Sequence, residues 1–182
     1  MTTSPPTNTS DGTVLHTATI ETPIGELTVV ASDRGLRAVL WPGETDARVP
    51  LGDCELRTDS HPIVDQAVRE LREYLAGERH AFDVPLDPVG TPFQQSAWQV
   101  LRGIPYGQTI SYGEQARRLG DVRKARAVGA ANGRNPISII VPCHRVVGST
   151  GKLTGFAAGL DVKAWLLQHE RADSGETDET LF

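Results

Sequence analysis

The apolar run Ile139-Ile140-Val141 stops at Pro142, and the next three residues are Cys143, His144 and Arg145. Proline cannot donate to a strand ladder, so the run reads as a strand that ends at residue 142. A strand end fixes where the chain must turn, and it presents Cys143 at that turn, able to face a cavity. Cysteine is a nucleophile only as its thiolate, and neighbouring imidazole or cationic groups lower its pKa. His144 and Arg145 are groups of that kind. On these residues alone the alternative stays open that Cys143 is a small apolar residue of the core.

The rest of the 182-residue chain divides around this stretch. Residues 1–12 lack apolar periodicity and read as a disordered tail. Residues 13–90 read as an α/β scaffold domain. Strands are expected at Val14–Glu21, Glu26–Ala31 and Leu36–Trp41, with turns at Pro23-Ile24-Gly25 and Asp33-Arg34-Gly35 and a weak strand near Cys54. Apolar residues from Ile63 to Leu75 recur at helical spacing behind Ser60. Nothing in this half gathers chemical groups.

Residues 91–170 read as a mainly helical second domain. Thr91, Pro92 and Gln94 form a capped helix start, with Trp98 in the core. Ser111 and Glu114 start a second helix ending near Gly120, and a third runs from about Arg123 to Asn132. Two short helices about a tight turn have the spacing of a helix-turn-helix, a DNA-reading unit, although such pairs also occur as plain scaffolding. The third helix carries Ala125, Ala127, Gly129, Ala130 and Ala131 with Arg126 among them. Its backbone can press close to a neighbouring helix or to the floor of a groove. Val162, Trp165, Leu166 and His169 mark a closing helix with Glu170 at its end, and residues 171–182 read as a flexible acidic tail. The expected fold class is α/β (α+β): a small N-terminal antiparallel sheet with a packed helix, then a helical C-terminal domain.

No apolar run is long enough to cross a membrane, and the N-terminus is not a signal peptide, so the expected compartment is the cytoplasm. Two cysteines without an export signal argue against a Cys54–Cys143 disulfide. The net charge of −5 is unevenly spread. From Val100 to Trp165 ten bases face three acids, a local net of +7, while the remainder carries −12. A polyanion responds to the local patch.

Arg126-Ala127-Val128-Gly129, Asn135-Pro136, Pro142-Cys143-His144-Arg145-Val146, Gly155-Phe156-Ala157 and Gly159-Leu160, in this order and at these separations, closely resemble the O6-alkylguanine-DNA alkyltransferase family, the methylated-DNA–protein-cysteine methyltransferases, of the bacterial type. The likeness is densest from Gly90 to Glu170. It implies a ribonuclease-like N-terminal domain and a DNA repair protein that transfers an alkyl group from O6-alkylguanine, or O4-alkylthymine, irreversibly to its own Cys143. It also implies a relay of thiol, water, imidazole and carboxylate through Cys143, His144 and Glu170, with Tyr112 protonating the leaving base. Asn135 is placed by it at a hinge, Phe156 against the extruded base, and the backbones of Val146, Ala157 and Ala158 along the pocket. Arg126 fills the space left by the flipped nucleotide, and Ala125, Ala127, Gly129 and Ser149 meet the DNA, the helix lying in the minor groove.

The implied partner is alkylated double-stranded DNA, bound by a monomer, with no cofactor, no membrane and no obligate protein partner. Two departures from the family pattern are Phe156 where many relatives carry Tyr, and Ala158 where Gly is usual. Three rivals stand beside this reading. One is a non-catalytic alkylated-DNA-binding protein, and a second is a thiol hydrolase with a Cys–His pair. The third is a zinc site in the first half, where Cys54, His16, His61 and His80 show no recognisable ligand spacing, so no metal is expected.

Overall fold

The computed structural model describes residues 12–44 and 48–175. Of the expected tails at 1–12 and 171–182, residues 1–11 and 176–182 lie outside the described residues. The first half is a four-stranded sheet in the order β3-β2-β1-β4, built from β1 (Thr13–Thr22), β2 (Gly25–Ala31), β3 (Leu36–Leu40) and β4 (Cys54–Arg57). β1, β2 and β3 pair antiparallel through the turns read from the sequence, and β4 adds to β1 in parallel. Helix α1 (Pro62–Leu75) covers one face, burying Val64, Ala67, Leu71 and Tyr74. Its N-cap is His61, not Ser60, whose hydroxyl donates to Asp65 instead at 2.8 Å.

The second half begins with α2 (Pro92–Arg102). Thr91 Oγ1 accepts from Gln94 N at 3.2 Å, and Gln94 Oε1 accepts from Thr91 N at 2.9 Å, the full capping box. Such a cap contributes about 1 kcal/mol. The short strand β5 (Ile110–Ser111) leads to α3 (Tyr112–Arg118), capped by Ser111. A 3₁₀ turn (Val122–Lys124) then leads into α4 (Ala125–Gly133). β6 (Val146–Val147) pairs in parallel with β5, and α5 (Leu160–Ser174) closes the chain. α5 runs on through Arg171–Ser174, so those residues are not tail, and Glu170 sits inside the helix rather than at its end.

One apolar cluster runs through both halves, from Leu27 and Val29 on the sheet to Leu101, Ile137, Ile139 and Leu166. The backbone seam follows β3. Leu36 N donates to Pro85 O at 2.7 Å, and Val39 N donates to Pro136 O at 2.9 Å. The chain leading to Cys143 is thereby stitched to the sheet edge. Gly35 sits where that seam is tightest: a Cβ there would lie 2.8 Å from the Leu86 carbonyl carbon.

The expected strand at Ile139–Val141 does not form. Only Ile137 bridges to β3, and residues 138–140 are a turn. An apolar run this short is compatible with strand, helix or buried turn, and here burial in the shared core decides. Ile139 takes φ +72°, a backbone rarely adopted by a β-branched residue, with its side chain fully buried. That strain, on the order of 1–3 kcal/mol, persists because the packing around it over-determines the turn.

Candidate active site

The turn before Cys143 is stapled by Asn135, itself fully buried. Its Oδ1 accepts from Ile137 N at 3.1 Å, and its Nδ2 donates to Val141 O at 2.8 Å. Cys143 N then donates to Val141 O at 2.9 Å, and residues Cys143–Arg145 form a 3₁₀ turn leading into β6. The tight turn sends the Cys143 and His144 side chains to different surroundings. Cys143 is half-buried and lines a cavity of about 280 Å³ with Tyr112, Gly129, Asn132, Ser138, Phe156 and Ala157. His144 faces inward and is wholly buried.

Burial pushes the Cys143 thiol up from its ordinary pKa, partly offset by the Asn135 side chain and the positive charges of Lys163 and Arg48. The resting sulfur is therefore a thiol, and its proton must be taken by a base. Burial likewise lowers the pKa of His144, against the pull of Glu170, so the imidazole is held neutral. His144 Nε2 lies 2.8 Å from Glu170 Oε1 and donates to that carboxylate, which leaves Nδ1 as the basic nitrogen. Among the described residues Nδ1, though buried, has no hydrogen-bond partner, and no direct bond joins it to Cys143. A water between thiol and imidazole fits these two facts.

Glu170 is 1% exposed and heavily bonded. It accepts from Tyr74 OH at 2.7 Å, from Gly107 N at 3.0 Å and from Arg145 Nε and Nη2, each at 2.9 Å. Burial would raise its pKa, but the hydrogen bonds and charges of His144 and Arg145 win and hold it well below the usual carboxylate range. Arg145 also donates to Ile104 O at 2.6 Å. It is thus not a cation serving the thiol, as its place beside Cys143 suggested, but the counter-ion that keeps Glu170 ionised.

Lys163, fully buried, donates to Val146 O at 2.6 Å and Thr154 O at 2.8 Å. Tyr112 OH donates to the same Thr154 O at 3.1 Å. Together they hold the loop between β6 and α5, whose Gly155, Phe156 and Ala157 line the cavity. Phe156 packs edge-on against Trp41 at 5.8 Å, and Trp41 Nε1 donates to Ser138 Oγ at 3.0 Å. Ala158 packs against the core, and neither it nor Val146, whose carbonyl accepts from Lys163, lines the cavity.

Of the ten bases between Val100 and Trp165, eight are exposed; Arg145 and Lys163 are buried and leave the surface patch. Arg126, Ala127 and Ser149 are exposed, Ala125 is half-buried, and Gly129 reaches the cavity wall beside Tyr112. The first half is more than scaffold: Arg48 lines the cavity and donates to Asn135 O at 2.6 Å, and Tyr74 holds Glu170. Sequence reasoning missed both, since neither stands in a motif and each acts across a long stretch of chain. Lys163 was missed as well, although a lysine inside an apolar helix stripe is a signal of burial. Among the described residues, the grouping of imidazoles with a carboxylate within ligand distance, His16, Asp33 and His61, lies on the N-terminal sheet and shares no residue with this cavity.

Residues 92–172 match the family model of the 6-O-methylguanine DNA methyltransferase DNA binding domain, and residues 15–88 that of the ribonuclease-like domain of the same proteins. The chain belongs to the methylated-DNA–protein-cysteine methyltransferase family. A member from Methanosarcina acetivorans is 46% identical over 157 residues, covering 86% of this chain and 98% of its own length. The methyltransferase of Shigella flexneri is 46% identical over 158 residues, with 83% and 92% covered. Among solved structures, Mycobacterium tuberculosis OGT in complex with DNA superposes with a TM-score of 0.77 at 44% identity, covering 88% of this chain and 94% of that one. The mixed α/β architecture is that of the family.

Proposed function

We propose that this protein repairs DNA by moving the alkyl group of O6-alkylguanine, and of O4-alkylthymine as a second substrate, onto the sulfur of Cys143. One observation carries the reading: a half-buried thiol opens on a base-sized cavity while the buried imidazole beside it keeps a free nitrogen and is anchored by an ionised carboxylate.

The target atom lies inside a duplex, so the nucleotide is flipped into the cavity. α3 and α4 serve as the helix-turn-helix. Ala125, Ala127 and Gly129 let the backbone of α4 lie in the minor groove, Arg126 fills the vacated space, and Ser149 meets the strand. Phe156 stacks on the extruded base and the backbone of Ala157 walls the pocket, while Asn135 braces the turn before Cys143 and Val146 and Ala158 support that wall from the core side.

The Cys143 thiol passes its proton through water to His144 Nδ1, and Glu170 steadies the imidazolium that forms. The thiolate attacks the alkyl carbon in line. The S–C bond forms as the C–O6 bond breaks, and the released electron pair stays on guanine, which takes a proton from Tyr112 OH. The product is a thioether that no neighbouring group can cleave, so each molecule acts once. The protein works as a monomer in the cytoplasm without a cofactor.

The test is a reaction of known protein concentration with a duplex carrying O6-methylguanine and, separately, with the free base. Wild type should remove one methyl group per molecule and then stop. Arg126→Ala should slow the duplex reaction at least about 10-fold and spare the free base, because flipping is needed only in the duplex. Sustained turnover would overturn the transfer reading, and equal losses on both substrates would remove Arg126 from the flipping step.

A further inference from the structure

Outside the cavity, the N-terminal sheet brings two imidazoles and a carboxylate to one point. His16 comes from β1, Asp33 from the turn after β2, and His61 from the N-cap of α1, with all three ligand atoms within 4.8 Å of one another. Asp33 Oδ1 lies 3.2 Å from His61 Nε2 and 3.9 Å from His16 Nε2. A tetrahedral ion with bonds of about 2.0–2.1 Å holds its ligand atoms roughly 3.3 Å apart. The observed separations need only a small approach of His16.

Two further details point to a metal rather than to a chance cluster. His16 Nδ1 is engaged by Asp59 Oδ1 at 3.2 Å, the carboxylate–imidazole arrangement that turns the other ring nitrogen outward as a lone-pair donor. The two rings are stacked with centroids 4.1 Å apart and planes 19° from parallel, so both imidazoles are held side by side. Both imidazoles are mostly buried while Asp33 is exposed, so the ligand set is pre-positioned and still open to solvent. His61 caps α1 without a side-chain bond to the helix, which leaves its ring free for this use.

We propose that His16, His61 and Asp33 form a binding site for a divalent transition ion of the zinc class, completed by solvent, which ties the start of α1 to β1 and to the β2–β3 turn. Two imidazoles and one carboxylate suit zinc over magnesium or calcium. The role is structural and independent of alkyl transfer.

The test is titration of the full chain with Zn²⁺ and with Co²⁺ as a spectroscopic probe. Wild type and Cys143→Ser should bind one equivalent alike, with the tetrahedral visible bands of Co²⁺. At a hundredfold excess over Kd the melting temperature should rise by roughly 5–10 °C. His61→Asn and Asp33→Asn should weaken binding at least about 10-fold, while His80→Asn, remote from the cluster, should not. Should the histidine variant fold poorly, Nε2 shifts of His16 and His61 in wild-type NMR spectra on adding Zn²⁺ decide the matter. Equal affinity in wild type and the ligand variants, loss of binding in Cys143→Ser, or unmoved Nε2 resonances would each overturn the proposal.

Discussion

Replacing Glu170 by Gln tests the electrostatic core of the site, because the side chain keeps its size and loses its charge. In the wild type the carboxylate is shared by Tyr74, His144, Arg145 and Gly107, all at 2.7–3.0 Å and at 1% exposure. An amide can still accept on one side, but its NH₂ group then faces another donor. Arg145 keeps Ile104 O and loses its counter-charge at 6% exposure. Breaking one partner out of a buried ion pair costs about 3–5 kcal/mol. Against a typical total of about 5–15 kcal/mol this is a large fraction, and for a chain of this size it lowers the melting temperature by roughly 6–20 °C. Urea denaturation monitored by tryptophan fluorescence reads the loss directly. Adding Arg145→Met to Glu170→Gln removes the stranded charge and should recover part of the stability, giving strong coupling in a double-mutant cycle. The same Gln variant should transfer methyl groups at least about 100-fold more slowly, since the imidazole is no longer steadied as it charges. A loss below about 1 kcal/mol, or additive single and double variants, would refute the claim that Arg145 serves to keep Glu170 ionised.

Two further outcomes follow from the geometry. His144 has a folded pKa below its ordinary value, so the unfolded chain takes that proton first and stability falls as pH drops below about 6.5, by at most about 1.4 kcal/mol per pH unit. Glu170 has a depressed folded pKa, so its contribution holds above about pH 4.3 and is lost only below. His144→Asn should therefore flatten the stability profile between about pH 6.5 and 5 and leave the more acidic limb in place; an unchanged slope there would contradict the assignment. Gly35→Ala, whose Cβ would meet the Pro85–Asp87 backbone at 2.8–2.9 Å, should cost about 1–3 kcal/mol in urea unfolding without altering the transfer rate in folded protein.

Much of the fold was legible because local chemistry and tertiary packing agree. The Thr91–Gln94 box, the hairpin turns and the apolar stripe of α1 each specify a boundary within a few residues. The reading failed at Ile139–Val141, where an apolar run folds as a strained turn because Asn135 and the sheet edge hold both of its ends. Cys143, His144, Tyr112 and Glu170 were legible as residue types at family positions. What no spacing could show is the long-range pairing: Tyr74 with Glu170, Arg48 with Asn135, and His16 with His61. Arg145 and Lys163 illustrate the limit most sharply. Sequence counts them as surface charge, whereas folding spends both on buried oxygens.

The central claim is that the sulfur of Cys143 accepts the alkyl group. Tandem mass spectrometry of peptides from protein reacted with an O6-methylguanine duplex tests it most directly. A methyl thioether is expected on Cys143 in every reacted molecule, with none on Cys54 and no adduct anywhere in Cys143→Ser. A methyl group found on another residue, or continued removal of methyl groups from DNA by Cys143→Ser, would contradict it.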